Sequence, residues 1–231
     1  MYSVYLEDLL IHQQDSPDPS IHLISPNLKL ADNAAGSFDF TMAPNHIGYS
    51  EIEEMKSTIY MQREGHTIWS GRPVNSSTNF QNQKVFSCEG ALAYLNDSLQ
   101  PNKAYNAVNN VTFFTAIINE HNAKVGDNRK IMLGTITIPE RIDDFDYETN
   151  YEKTWSVIQS KFLDRIGGHI RIRYGVDNKT PILDYFEENL QNANTSNQVI
   201  NFGMNLLDYA SNIDLSNLVT VIYPRGAEIT E

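Results

Sequence analysis

The chain has 231 residues, of which 17 are basic and 29 acidic, so its formal net charge is −12. Nucleic-acid-binding domains usually have the opposite balance, because neutralising phosphates supplies much of their affinity. Apolar residues make up 41% of the sequence and are spread along it, which excludes a largely disordered protein, and no apolar run has the length of a membrane span. Cys88 is the single cysteine, which excludes an intramolecular disulfide and a cysteine-based zinc site.

The acidic excess has two interpretations that charge alone does not separate. It can simply keep the protein soluble, or it can form a surface past which a polyanion slides without adhering. The N-terminus has no basic patch ahead of an apolar stretch, so it does not resemble a secretory signal. We therefore expect the chain to fold in a cytoplasm.

The first hundred residues show the period-two alternation of β-strands. The clearest hairpin lies at residues 59–69, with Glu64 and Gly65 in its turn. Pro26 cannot donate to a β-ladder, so its segment is expected at a strand end or a sheet edge. The strands predicted in this part lie at 2–6, 21–30, 38–42, 59–69 and 84–88.

The middle of the chain is helical. A short helix is expected at 91–95, and a longer one begins at Asn110 as N-cap, with Val111, Phe114, Ile118 and His121 at helical spacing. A strand is expected at 131–138. The strongest helix runs from Tyr151 to Ile166, where Gly167 and Gly168 end it.

The remaining segments return to strand patterns. Strands are expected at 169–174, 182–186, 204–213 and 218–223, which gives about ten short strands and two or three helices. We predict a β-rich α+β protein with two small β-barrel-like domains, the second carrying the helices and inserted into the first. The first domain comprises 1–100 plus 204–231 and the second 101–203. Parallel βαβ winding is not expected.

The sequence contains no phosphate-binding glycine loop, zinc-protease motif or nucleophile elbow. Each of the six scattered histidines is expected to lie at the surface or in the core with satisfied hydrogen bonds, and His169 falls on the polar face of a strand. Cys88 is expected to be a buried structural residue, because the adjacent Glu89 raises the pKa of a thiol. We assign no catalytic, cofactor-binding or metal-binding residue and expect no cofactor.

Two acidic clusters stand out. The first comprises Glu51, Glu53 and Glu54, which fit the first turn of a short helix. The second comprises Asp143, Asp144, Asp146 and Glu148. These four are expected in a loop that could bind a hard cation but lacks the glycine and spacing of a calcium loop. A solvated or lumen-lining loop is therefore the expectation.

Four segments taken in order resemble one family. They are GSFDFTMAPNHIGYSEIEEMKSTIYM (36–61), IWSGRPVN (68–75), VFSCEGALAYLNDS (85–98) and LVTVIYPRGA (218–227). Together they resemble the N-terminal hub region of phage and prophage tail-associated lysins, also called prophage endopeptidase tail or phage minor structural proteins, which is similar to the baseplate hub of contractile-tailed phages.

The resemblance implies a homotrimer whose three subunits form a ring that continues the tail tube and lets DNA pass. It implies location at the virion tail tip, assembly in the bacterial host cytoplasm, and partners among distal tail, tape measure and receptor-binding or tail-fibre proteins. A wall-degrading domain often follows this region in the family. The given sequence ends with PRGAEITE (224–231), so we expect a structural protein and not an enzyme.

Two alternatives remain open. A peptidoglycan hydrolase is suggested by the family and the many carboxylates, and it would need His, Cys or Glu side chains converging in a cleft. A receptor- or carbohydrate-binding module is suggested by Trp69, Trp155 and the twelve tyrosines. Trp155 falls on the apolar stripe of the predicted helix, which favours a core position instead.

Overall fold

Seven short strands from the first 90 residues pair into one antiparallel sheet in a computed structural model that describes residues 1–138, 145–187, 199 and 201–205. The strands are β1 (Tyr2–Leu6), β2 (Leu9–Gln13), β3 (Ile24–Lys29), β4 (Ser37–Met42), β5 (Ile59–Arg63), β6 (His66–Thr78) and β7 (Lys84–Gly90). Their order across the sheet is β2-β1-β5-β6-β7-β4-β3. The sheet curls into a half-barrel.

One face of this sheet forms a first core because its apolar residues alternate with polar ones. In β4, Phe38, Phe40 and Met42 are buried while the residues between them are half-buried. The Phe38 ring lies 5.7 Å from Trp69 of β6, and Phe40 stacks at 5.3 Å on Phe86 of β7. The alternation predicted from the sequence therefore decides which face turns inward.

Both prolines of the sheet lie where a missing N–H costs little. Pro26 is in β3, an edge strand, as predicted, at an irregularity of the pairing with β4. Pro73 is inside β6, a central strand, but the register with β7 shifts between Pro73 and Asn75. Bulges of this kind bend and twist a strand, and here they contribute to the curl of the sheet.

The predicted hairpin is confirmed between β5 and β6. Arg63 pairs with His66, and the two turn residues Glu64 and Gly65 have φ of 53° and 81°. Two successive positive φ values match the right-handed twist of the flanking strands, which is why a glycine occupies the second position.

A second core forms from residues 91 to 185, around two helices. Its elements are a 3₁₀ helix (Ala91–Asn96), β8 (Lys103–Val108), α1 (Asn110–Lys124), a 3₁₀ turn (Asp127–Arg129), β9 (Met132–Thr137), β10 (Phe145–Thr149), α2 (Thr154–Ile158), a π-helical turn (Gln159–Leu163), α3 (Asp164–Ile166), β11 (His169–Tyr174) and β12 (Pro181–Phe186). β10 pairs with β8, and a three-stranded sheet has the order β11-β12-β9. The pair β12–β9 is parallel, whereas the other described pairs are antiparallel.

Both predicted helix starts need correction. The N-cap of α1 is Asn109, one residue before the predicted Asn110, and its Oδ1 accepts from the N–H of Thr112 at 2.7 Å. The second helix begins at Thr154, and Tyr151 lies outside it with φ of 55° and 65% exposure. The backbone just before Thr154 is instead held extended by the segment 98–100, since the N–H of Thr154 donates to the carbonyl of Ser98 at 3.0 Å.

The two cores are joined by side-chain bonds to backbone. Asn33 donates to the carbonyl of Gly168 at 3.0 Å and accepts from the N–H of Ile170 at 2.7 Å. Asn178 accepts from the N–H of Thr67 at 3.2 Å and receives the Thr67 hydroxyl at its own carbonyl at 2.7 Å. These bonds place both cores in one compact unit, Met1–Gln191.

Asn192–Glu231 forms a second unit. Within it, Met204 lies in a turn after Gly203, whose φ is 81°, so the predicted strand 204–213 does not begin there. The rest of that strand, the strand 218–223 and the predicted return of 204–231 to the first domain fall outside the described residues. The division into domains 1–100 plus 204–231 and 101–203 stays a prediction.

Candidate functional site

The arrangement closest to a catalytic pair is Ser98 with His121. Gln100 Nε2 donates to Thr154 Oγ1 at 2.7 Å, Thr154 Oγ1 lies 2.6 Å from Ser98 Oγ, and Ser98 Oγ lies 2.7 Å from His121 Nδ1. His121 Nε2 donates to the carbonyl of Arg129 at 3.2 Å. A backbone carbonyl therefore orients this histidine, whereas in a catalytic triad a carboxylate does so.

Burial decides what this chain of hydrogen bonds can do. Ser98 is 3% and His121 0% exposed, so a substrate has no access to the hydroxyl. Burial also lowers the pKa of His121, which keeps the imidazole neutral. The network gives most of its buried polar atoms a partner, although Gln100 Oε1 has none among the described residues, and it orients α1 against Thr154, so its role is structural.

A buried ion cluster joins the two cores at Arg72. Its Nε donates to Glu89 at 2.8 Å and its Nη2 to Asp97 at 2.7 Å, while the side chain is 5% exposed. Tyr94 lies between two guanidinium groups, with Arg72 at 5.3 Å and Arg129 at 4.6 Å from the ring centroid. The sequence analysis missed this cluster, because its acids lie outside the strand that carries Arg72.

Arg129 fixes the loop between β4 and β5. Its Nη2 donates to the carbonyls of Met55 at 2.8 Å and Lys56 at 3.2 Å. Within the part of the chain that the structure describes, Arg129 Nη1 and the Tyr94 hydroxyl are buried without a hydrogen-bond partner. The cation–π contacts with Tyr94 offset part of the cost of burying this charge.

Cys88 is buried, as predicted, at 2% exposure in the first core. Burial raises the pKa of its thiol to about 12, and the Asp39 carboxylate adds to the increase. The predicted cause, Glu89, was wrong, since Glu89 instead binds Arg72. Adjacent strand residues point to opposite faces, so the residue next to the thiol in sequence is not its neighbour in space.

In the described residues, neither acidic cluster lies in the kind of element that was predicted for it, a short helix for the first and a loop for the second. None of the three glutamates of the first cluster lies in a helix: Glu51 and Glu54 are in turns and Glu53 lies between them. The backbone turns here because the N–H of Met55 donates to the carbonyl of Pro73 and Met55 has φ of 63°. Glu53 binds Lys56 at 2.7 Å, and Glu54 accepts from Ser76.

In the second cluster, Asp146 and Glu148 belong to β10 and not to a loop. Asp146 accepts from the N–H of Ala107 at 3.0 Å. Asp143 and Asp144 lie outside the described residues. Across residues 1–138, 145–187, 199 and 201–205, no three His, Cys, Asp or Glu side chains are grouped as metal ligands.

The histidines are less scattered than the sequence indicated. His169 is half exposed on the polar face of β11 and binds Asp32 at 2.7 Å, and His66 is exposed beside the hairpin turn. His12, His22 and His46, however, come together beside β2, with the rings of His12 and His22 5.7 Å apart. Their separations in sequence gave no sign of this grouping.

An open cleft of about 230 Å³ lies between the first sheet and the turn after β11. Its carboxylates already have partners: Asp8 binds Lys179 at 2.6 Å, Glu7 accepts from the N–H of Thr58 at 2.7 Å, and Asp177 accepts from the N–H of Thr180 at 3.0 Å. The cleft is thus a polar seam between the two cores.

Neither tryptophan forms a sugar-binding platform. Trp69 is 3% exposed in the first core, and Trp155 is half-buried against the second. Among the helices of the described residues, none has both the length and the apolar character needed to cross a membrane.

No protein-family model matches the sequence, and no curated protein matches it significantly. Solved structures do. The tail protein from Neisseria meningitidis MC58 has a TM-score of 0.52 at 14% identity, over 79% of this chain and 49% of that one. The prophage tail protein gp18 from Listeria monocytogenes EGD-e has a TM-score of 0.50 at 16% identity, over 79% of this chain and 50% of that one.

The chain therefore spans about half the length of the tail proteins it matches. At such low identities the likeness establishes a shared fold. It confirms the predicted resemblance to prophage tail proteins and the β-rich α+β fold class.

Proposed function

Starting from the fold shared with prophage tail proteins, we propose that this chain is a structural subunit of a phage-type tail tip. Three copies form a ring that continues the tail tube and through which DNA passes. The observation that carries the proposal is the shared fold together with the order of the four sequence segments that resemble tail hubs. The virion tail tip is the corresponding location, with assembly in the bacterial host cytoplasm.

A structural role fits the side chains better than catalysis does. Ser98 and His121 are enclosed, and the raised pKa of Cys88 keeps its sulfur protonated at neutral pH. A buried charge, Arg72, is held by two carboxylates at the junction of the cores. Such groups fix a rigid body, which a component of a tube requires.

The edge of the first sheet offers a surface for ring formation. β3 pairs with β4 on one side, and all but one of its residues are exposed. Unpaired strand edges invite pairing with other chains, and a closed ring occupies them without leaving an open end. We propose that β3 faces the neighbouring subunit.

The acidic charge is consistent with passage of DNA. A net charge of −12 repels phosphates, so a lumen of this sign lets a genome pass with little adhesion. At the two ends of the ring we propose contacts with distal tail and tape measure proteins, and with receptor-binding or tail-fibre proteins further out. The division into two barrel-like domains, 1–100 plus 204–231 and 101–203, belongs to the same proposal.

Native mass spectrometry and light scattering test the ring. We expect a particle of three 26.2 kDa chains, alone or with distal tail protein, and a central opening in electron micrographs. Ile24→Lys on β3 should shift the particle to monomer, because it places a charge on the proposed interface. Ile68→Lys is the matched control, since Ile68 is 37% exposed against 39% for Ile24 but lies on a central strand.

A chain that stays monomeric at high concentration and with its tail partners would contradict the ring. If the trimer persists in both Ile24→Lys and Ile68→Lys, the subunit interface does not include β3. Lysis of cell walls by the purified chain would instead favour a hydrolase.

A further inference from the structure

Three histidines from three segments lie together at the edge of the first sheet. His12 belongs to the edge strand β2, His22 follows the 3₁₀ turn Pro19–Ile21, and His46 lies in the loop after β4. The rings of His12 and His22 meet edge to face at 5.7 Å. We call these three residues the histidine cluster.

Two of the three imidazoles accept backbone hydrogen bonds. The N–H of Leu23 donates to Nδ1 of His12 at 3.1 Å, and the N–H of Gly48 donates to Nδ1 of His46 at 3.0 Å. His46 Nε2 donates to the carbonyl of Ile11 in β2 at 2.8 Å. A nitrogen that accepts carries no proton, so His12 and His46 must both be neutral in this arrangement.

Protonation therefore removes the contacts that hold the loops on β2. A proton on Nδ1 of His12 or His46 would place two N–H donors face to face. His22 makes a different contact, because its Nε2 donates to the carbonyl of Ser16 at 2.6 Å.

The electrostatics agree with this geometry. Burial, followed by His22 and His46, lowers the pKa of His12. Burial also lowers the pKa of His46, where the bond to the Ile11 carbonyl opposes the shift and His22 adds to it. The carboxylate beside the cluster is Asp18, which accepts from Ser20 and lies near His22, the residue without an acceptor role. The groups whose protonation breaks hydrogen bonds are therefore His12 and His46.

We propose that the histidine cluster is a pH-sensitive switch, in which protonation of His12 and His46 releases the segments 16–23 and 43–48 from β2. The two segments are linked to each other by the bond from Ile47 N–H to the carbonyl of Ser20 at 3.0 Å, so they leave together. Their release exposes the outer edge of β2, which in the described residues pairs only with β1. This switch does not depend on the tail-tip assignment.

The expected size follows from proton linkage. In the closed state the segments 16–23 and 43–48 lie on β2, and in the open state they are released. Above the ordinary histidine pKa of 6.5 both states bind the same number of protons, so the stability of the closed state does not depend on pH. Below this pH the open state gains protons first. The equilibrium constant for opening therefore rises by about tenfold per pH unit for each histidine, until the closed state is protonated too.

Amide hydrogen exchange measured by NMR at about pH 7.5 and about pH 5.5 tests the switch, after correction for intrinsic exchange rates. We expect the protection factors of the Leu23 and Gly48 amides to fall at least roughly tenfold on acidification. Amides in β12, which belongs to the second core, should keep theirs. Histidine ¹⁵N shifts followed in the same titration report whether His12 and His46 change from neutral to doubly protonated.

His12→Asn with His46→Asn is the matched variant, because the amide oxygen replaces Nδ1 as acceptor and does not titrate. It should retain protection at both pH values. His66→Asn is the control, since His66 is exposed, and it should behave as the wild type. If wild-type protection is unchanged, or if His12 and His46 become doubly protonated while Leu23 and Gly48 stay protected, the switch is refuted without reference to any variant.

Discussion

Phe113 provides the sharpest test of the second core. Its side chain is 0% exposed, stacks on Tyr147 at 4.1 Å and on Phe162 at 5.6 Å, and meets Tyr105 edge-on at 5.0 Å. Phe→Ala in a core costs about 3–5 kcal/mol, and each aromatic pair contributes about 0.5–1.5 kcal/mol beyond its buried area. With three such pairs lost, we expect Phe113→Ala to lower the unfolding free energy by about 4–5 kcal/mol.

Phe80→Ala is the matched control, because the same atoms are removed from a fully exposed side chain in the β6–β7 turn. It should change stability by less than about 0.5 kcal/mol. Urea unfolding followed by circular dichroism gives both values. In thermal melts, Phe113→Ala should lower Tm by roughly 8–20 °C, at about 2–4 °C per kcal/mol for a chain of this size.

A Phe113→Ala protein whose unfolding free energy lies within about 1 kcal/mol of the wild-type value would refute the reasoning, because removing a whole phenyl ring from a packed core leaves a destabilising cavity. Equal losses of unfolding free energy in Phe113→Ala and Phe80→Ala would refute it as well, because they would show that the Phe80 side chain is packed and not exposed to solvent.

Three further outcomes are expected. Gly90→Ala should lower the unfolding free energy measured in urea by about 3 kcal/mol, because its Cβ would lie 1.8 Å from a backbone oxygen. Gly65→Ala, whose Cβ would have nothing within 4 Å, should lower it by only about 1 kcal/mol because of the positive φ, and similar losses in the two variants would contradict this. Cys88 should react with a thiol reagent only as the protein unfolds, and rapid labelling of the native chain at neutral pH would contradict its raised pKa. Urea midpoints should fall as pH drops below 6.5 and stay level above it, because burial lowers the pKa of several histidines and the unfolded chain takes up their protons first; a flat profile would contradict this. These histidines are His12, His46 and His121.

Local signals in the sequence were reliable where the local backbone decides the outcome. The Glu64–Gly65 turn was predicted correctly, because two positive φ values restrict which residues can occupy it. The alternation in β4 and the stop at Gly167, with φ of 81°, were equally direct. Helix starts were less accurate, since Asn109 and Asn110 are equivalent caps by sequence and only the Thr112 contact distinguishes them.

The polar clusters could not be predicted, because each is assembled from segments distant in sequence. Arg72 meets Asp97, which follows the 3₁₀ helix, and His12 lies near a histidine 34 positions away. Spacing along the chain carries no information about such pairs. The same holds for Cys88, since the carboxylate that adds to its raised pKa is Asp39 of the neighbouring strand and not Glu89 beside it in sequence.

By itself the sequence determined the β-rich character, the hairpin, the two helical segments, the absence of a disulfide and the resemblance to tail proteins, since these depend on composition, short-range periodicity and ordered motifs. The tertiary structure alone decided the strand order β2-β1-β5-β6-β7-β4-β3, the burial of the Ser98–His121 pair and the grouping of three histidines beside the edge strand β2. The physical reason is that strand pairing and desolvation depend on which surfaces meet. That is settled by the packing of the whole chain and not by any window of it.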